Sequence, residues 1–160
     1  MAWEREIRGD NRQVFFRNTN REYEFFAPVY IGDNNRYELY DILSVSGGFG
    51  IIYCARDNHL GGHEVLIKSR RYDGESGLFT FVGDKSREGK IEKIREKTLF
   101  EAECLKMFKQ NRESRMPILN DIVFDFSASI YGPHIDHTGK EYIIEDDYVY
   151  NEPYIVMQVI

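Results

Sequence analysis

Ser46-Gly47-Gly48-Phe49-Gly50-Ile51-Ile52-Tyr53-Cys54-Ala55-Arg56-Asp57, followed by Val65-Leu66-Ile67-Lys68, is the stretch around which the rest of the chain reads. Three glycines within four positions separate two β-prone runs, Tyr37 to Val45 and Ile51 to Ala55. The pattern predicts a hairpin whose tip is nearly bare of side chains, so that its backbone N–H groups can approach a ligand closely. Phosphate suits such a tip, because adjacent amide dipoles converge on it unobstructed. Further on, Lys68 ends a Val-Leu-Ile run and carries a fixed positive charge toward the same region. Side chains alternate across a strand, so Leu66 and Lys68 share one face while Val65 and Ile67 share the other.

Composition bounds the remaining possibilities. A chain of 160 residues, 42% hydrophobic, can bury one compact core, so one domain is expected. Eleven Tyr and eleven Phe argue for packed β structure over disorder. A net charge of −6 argues against a general nucleic-acid binder, which presents a basic face. No apolar run approaches the length of a bilayer span, and the first residues lack a signal-peptide pattern. Cys54 and Cys104 have no framework spacing and fit thiols of a reducing cytoplasm better than a disulfide.

The second informative stretch is a helix predicted over Lys90 to Asn111. Ile91, Ile94, Thr98, Leu105 and Phe108 recur at helical spacing and define one face. Glu101 falls within that stripe, whereas Glu103 projects to the other side. An ionised carboxylate on an inward face is costly unless a cation meets it, and Lys68 is the natural candidate. The pattern alone equally allows Glu101 to sit at the stripe's edge and reach solvent. Phe100, Cys104 and Met107 form a second apolar patch on the same helix.

These residues resemble the bacterial Ser/Thr protein kinases. GGFGIIYCARD (Gly47 to Asp57) resembles the family's glycine-rich loop and second strand, and Val65-Leu66-Ile67-Lys68 its V-A-I-K strand, whose lysine grips nucleotide phosphates. Glu101-Ala102-Glu103-Cys104-Leu105 resembles the helix carrying that lysine's carboxylate partner. Pro153 to Gln158 resembles the strand leading into the hinge. Two positions depart from the family pattern: Val45 stands where the first glycine falls, and Leu66 where a small alanine is usual.

The resemblance implies an α+β fold, a protein kinase-like N-lobe with a five-stranded antiparallel sheet and one main helix, over residues 37–160. Its strands are Tyr37 to Leu43, Ile51 to Ala55, His63 to Arg70, Ile118 to Ser127 and Pro153 to Ile160. It further implies ATP and Mg2+ as cofactors, although the magnesium ligands of this family lie in a larger C-terminal lobe. Gly47, Gly48 and Gly50 would cover the phosphates, Lys68 would bind them and Glu101 would orient Lys68. Leu43 or Val45, Ile52 and Leu66 would pack on adenine and ribose. Met157 matches the position beside the adenine pocket, and Gln158, Val159 and Ile160 match the start of the hinge. The implied partners are a protein substrate with Ser or Thr hydroxyls, the C-terminal lobe and, as a possibility, a second copy of the chain. No H-R-D-x-x-x-x-N, D-F-G or A-P-E motif follows, so the chain is expected to be a fragment, inactive alone. Two other readings stay open: the kinase-like domain of a lanthionine synthetase, and a non-catalytic pseudokinase interaction module.

Residues 1–36 read as an N-terminal extension with apolar islands at Val14-Phe15-Phe16 and Glu24 to Ile31, either a flank packed on the back of the sheet or a partner-binding arm; the packed flank is favoured, since exposed Phe pairs usually find a core. Residues 71–89 read as a loop with a short Leu78 to Val82 strand. Ser129 to Glu152 reads as a long hairpin insertion holding His134, Asp136 and His137. Two histidines in a turn without a cysteine seldom make a metal site, so no metal ligand is expected.

Overall fold

The computed structural model describes residues 3–9, 11–17, 23–45, 50–69, 86–110, 118–127, 131–132, 134–135, 141–142 and 149–159. The chain is mostly β. Near the N-terminus come β1 (Glu4–Gly9), β2 (Arg12–Arg17), β3 (Tyr23–Pro28) and β4 (Tyr30–Ile31). They are followed by β5 (Tyr37–Ser44), β6 (Ile51–Asp57), β7 (His63–Ser69) and the helix α1 (Ser86–Gln110). The remainder comprises β8 (Leu119–Ser127), β9 (Tyr131–Gly132), β10 (His134–Ile135), β11 (Glu141–Tyr142) and β12 (Val149–Gln158).

The expected fold class, a five-stranded kinase-like lobe with one helix, is overturned. The main sheet has six strands in the order β4-β5-β6-β7-β12-β8, and a separate four-stranded sheet forms in the order β1-β2-β3-β9. The physical reason lies in residues 1–36, read from sequence as a flank. Val14, Phe15, Phe25 and Ala27 are fully buried, and Phe15, Phe25 and Ala27 join the core of the main sheet, so this segment forms a second sheet packed on the first. The helix also starts at Ser86, four residues before the expected Lys90. The expected Leu78 to Val82 strand lies outside the described residues, as do Asp136 and His137.

Two cores flank the main sheet, and strand alternation assigns residues to each. Ile51, Tyr53 and Ala55 of β6, with Val65 and Ile67 of β7, face Phe15, Phe25 and Ala27 of the N-terminal sheet. Leu66 and Ile122 face the other way, onto a smaller cluster of Ala102, Leu105, Leu119, Ile155 and Met157 beneath α1. β12 runs between β7 and β8 and is buried from Glu152 to Met157, as a strand covered on both faces must be. In β5 the alternation changes phase at a bulge between Leu39 and Asp41, which turns both Leu39 and Ile42 inward. The Asp41 carboxylate accepts the Ile42 N–H at 2.8 Å, holding the strand just past that irregularity.

The main sheet curls until its two edges meet through side chains. Gly32 N–H, just past β4, donates to Asp125 Oδ2 of β8 at 3.1 Å. Tyr37 Oη of β5 donates to Asp121 Oδ2 of β8 at 3.2 Å. At the β6–β7 turn, Asp57 accepts the His59 N–H at 3.0 Å, and Gly61 and Gly62 take φ of 66° and 82°. That left-handed backbone favours glycine and reverses the chain within a few residues. No helix among the described residues is long and apolar enough to cross a membrane.

Besides the shared apolar core, a buried side chain bridges the two sheets. Gln13 is fully buried, and its Nε2 donates to Pro28 O at 2.8 Å and to Leu39 O at 2.7 Å. Its Oε1 accepts from Arg5 Nε at 2.5 Å, and Arg5 in turn pairs with Glu38 of β5 at 3.2 Å. Gln13→Leu keeps the volume but strands two carbonyls and a guanidinium nitrogen. Each lost partner of a buried polar group costs on the order of 1–3 kcal/mol. Urea unfolding of the variant is expected to show a loss of about 3 kcal/mol, larger than for the exposed Ile7→Ala in β1.

Candidate functional site

Lys68 and Glu101 stand 33 positions apart in sequence and meet across the sheet–helix interface. Lys68 sits near the end of β7 with Ile52 of β6 and Ile155 of β12 as its register partners. Glu101 sits on α1 beside the seating residues Thr98, Ala102 and Leu105, all buried. Lys68 Nζ donates to Glu101 Oε1 at 2.5 Å, and the two side chains are 19% and 29% exposed. The pair is therefore shielded but wet. An ammonium has three N–H donors, so the bond to Glu101 leaves donors for a further acceptor.

The remaining site candidates distribute as follows. Leu66 is half-buried and is the register partner of Met157, which is buried beneath α1. Ile52 is half-buried on the Lys68 side of β6. Leu43 is 57% exposed, whereas Val45 packs against the core between the two sheets. Gln158 is exposed, and its N–H donates to Ile118 O at 2.9 Å. Gly50 is buried with φ of 130°, a backbone that only glycine adopts readily. Because Ile51 is the register partner of Ser69, Gly50 enters the sheet next to the end of β7 that carries Lys68. Gly47, Gly48 and Ile160 lie outside the described residues.

On α1, Phe100 and Met107 are strongly exposed and Cys104 is half-exposed, so that patch is a solvent face; the side chains of Ile91, Ile94 and Phe108 lie outside the described residues. Glu103 points away from the sheet and pairs with Lys106 at 3.4 Å. Among the described residues no group of three or more His, Cys, Asp or Glu side chains is arranged to hold a metal.

A concavity away from this pair was not read from sequence. It lies along the seam between the edges of the main sheet, about 590 Å3 in volume, and Arg36, Tyr37, Asp33, Asp121, Phe124 and Asp125 are among its lining. Its signal in the sequence is the carboxylate alternation Asp121-Val123-Asp125 on one face of β8. Arg36 is engaged by Asp57 through two bonds, of 3.2 and 3.1 Å. Burial tends to raise the Asp57 carboxyl, but the Arg36 guanidinium and the His59 amide outweigh it and hold the pKa below the usual value. Burial, with the Asp121 charge beside it, pushes the Tyr37 phenol up to about 12. Burial and the hydrogen bond to Glu64 push Tyr40 to about 12 as well.

No protein-family model, curated protein or solved structure matches this chain.

Two outcomes follow for this region. In a Lys68→Met and Glu101→Gln double-mutant cycle read by urea unfolding, the coupling is expected to be about 1 kcal/mol or less, as for ion pairs that solvent still reaches. A coupling several times larger would mark the pair as a main support of the fold. The tyrosines give a pH dependence. Their folded pKa of about 12 lies above the ordinary 10, so the native state holds protons that the unfolded chain releases. That stabilisation is complete below pH 10 and is expected to be lost as pH rises toward 12. Ultraviolet titration of phenolate should show Tyr37 and Tyr40 among the tyrosines that ionise late, and Tyr37→Phe should remove one of these.

Proposed function

We propose that this chain is the nucleotide-binding part of a Ser/Thr protein kinase, holding Mg-ATP for transfer of its γ-phosphoryl group to protein Ser and Thr hydroxyls. The observation that supports this reading is the Lys68–Glu101 bond, beside the point where Gly50 leads into β6. The chemistry is electrostatic. A phosphate chain needs a positive charge held in place, and a carboxylate on a packed helix fixes a flexible lysine stem without neutralising all its donors. In this reading Gly47, Gly48 and Gly50 present backbone N–H groups to the phosphates. Leu43, Ile52 and Leu66 offer apolar surface to the base. In this reading the general base and the magnesium ligands would be supplied from outside the residues named here. A cytoplasmic setting is part of the proposal, in keeping with Cys54 and Cys104 as free thiols.

One observation favours a second reading, a non-catalytic kinase-like interaction module. Leu66 and Met157 are cross-strand partners on the Lys68 face, and their bulk takes space that a purine ring would need. Titration with a fluorescent ATP analogue and Mg2+ separates the two. Under the kinase reading the chain binds it, and Lys68→Ala or Glu101→Gln weakens binding at least tenfold. The exposed Lys93→Ala on α1 leaves it unchanged. Failure of the chain to bind, or equal binding by Lys68→Ala, would contradict the kinase reading.

A further inference from the structure

The face of α1 turned away from the sheet carries two large apolar side chains. Phe100 is 72% exposed and Met107 is 61% exposed. At about 100° per residue the two fall on one line along the helix, nearly two turns apart. Phe100 stands opposite Thr98 and Ala102, the buried residues that seat α1. The line therefore points straight out from the molecule.

Helical spacing sorts the charges beside this line by sign. Lys93 and Lys97 fall to one side of Phe100, and Glu92, Glu96 and Glu103 fall to the other. All of these side chains are exposed. Glu92 and Glu103 also meet Arg95 and Lys106 of their own helix, at 3.0 and 3.4 Å, in pairs that solvent reaches. A helix face with one basic and one acidic flank complements a copy of itself in one orientation. When two such helices lie parallel about a two-fold axis, each basic flank meets the acidic flank of the other copy. Lys97 then faces Glu96 of the second copy and Lys93 faces its Glu92, while Phe100 and Met107 meet their own counterparts. In an antiparallel pair like flanks meet, which sets Glu96 against Glu103 and opposes the contact.

We propose that the outer face of α1 is a homodimer interface, in which two copies of this chain pack their α1 helices in parallel. Phe100 and Met107 form its centre, and Lys93–Glu92 and Lys97–Glu96 pairs between copies form its rim. The arrangement gives a partner to the apolar line and a reason for the separation of charge beside it. Few apolar side chains are buried per copy, so the dimer is a weak one, with a dissociation constant of about 10 μM to 1 mM. The proposal does not rest on the nucleotide reading, since Lys68 meets the helix from the sheet side.

The test is sedimentation equilibrium of the full chain over a range of concentrations reaching about 1 mM. A reversible monomer–dimer equilibrium is expected. Phe100→Asp, at a solvent-facing position that leaves the fold intact by circular dichroism, is expected to weaken it at least tenfold. Leu60→Asp, at an equally exposed apolar side chain on the β6–β7 turn, is expected to leave it unchanged. Lys93→Glu with Lys97→Glu makes both flanks acidic, and Glu92→Lys with Glu96→Lys makes both basic. Each variant alone is expected to dimerise at least fivefold more weakly, and an equimolar mixture of the two to recover. These variants move the net charge in opposite directions, so general repulsion cannot weaken both. The proposal is overturned if the chain stays monomeric throughout, or if Phe100→Asp dimerises like the unaltered chain. It is equally overturned if Leu60→Asp abolishes the dimer, or if either charge variant dimerises undiminished, as an antiparallel or charge-indifferent contact would allow.

Discussion

The position of α1 on the sheet is aligned by one ion pair, between Lys68 and Glu101. The helix is 25 residues long, and among its described side chains Thr98, Ala102 and Leu105 are buried. Apolar contact alone fixes a helix poorly along its axis, because it is non-directional and neighbouring registers bury similar area. Lys68 meeting Glu101 adds a directional constraint that area lacks: a one-residue rotation of the helix, about 100°, would carry the carboxylate off the sheet. The same constraint keeps a cation from folding back or extending freely into solvent. The bond thus adds orientation to an interface whose cohesion comes from the apolar cluster beneath α1.

The opposite face of the sheet is organised by apolar area. Phe15, Phe25, Tyr53 and Tyr154 are buried to within a percent or so, and the Phe15 and Tyr53 rings lie 6.1 Å apart between the layers. Burial of this kind is strong but non-directional, so it does not set the register of one sheet on the other. Gln13 does that, since both its amide N–H bonds end on carbonyls at fixed places, one of them on β5. The molecule uses the same logic on both faces: apolar surface supplies cohesion, and directional polar contacts, Gln13 and Arg5 to β5 among them, supply alignment.

How much of this could be read beforehand depends on whether the signal was local. Strand alternation in Val65 to Lys68 and helical period in Thr98 to Leu105 are local, and they made the pairing of Lys68 with Glu101 readable as one of two placements, the other leaving Glu101 at the edge of its stripe in solvent. The strands β5, β6, β7 and β8 were legible for the same reason, their apolar runs being bounded by turn residues. The N-terminal sheet was not, because Gln13 looks like a surface residue until its acceptors, 15 and 26 positions away, are known. The curl of the main sheet was equally hidden, since it depends on Asp121 and Asp125 reaching residues more than 80 positions earlier. Nothing in the spacing announces such a closure.

The central claim is that the ammonium of Lys68, held by Glu101, is the group that receives nucleotide phosphate. The most direct measurement observes that nitrogen itself, by 15Nζ NMR of the lysine-labelled chain with Mg-ATP added. One side-chain resonance is expected to shift and to be protected from solvent exchange on saturation, and to be missing from the spectrum of Lys68→Arg. Saturation by nucleotide that leaves the Lys68 nitrogen unperturbed would contradict the account.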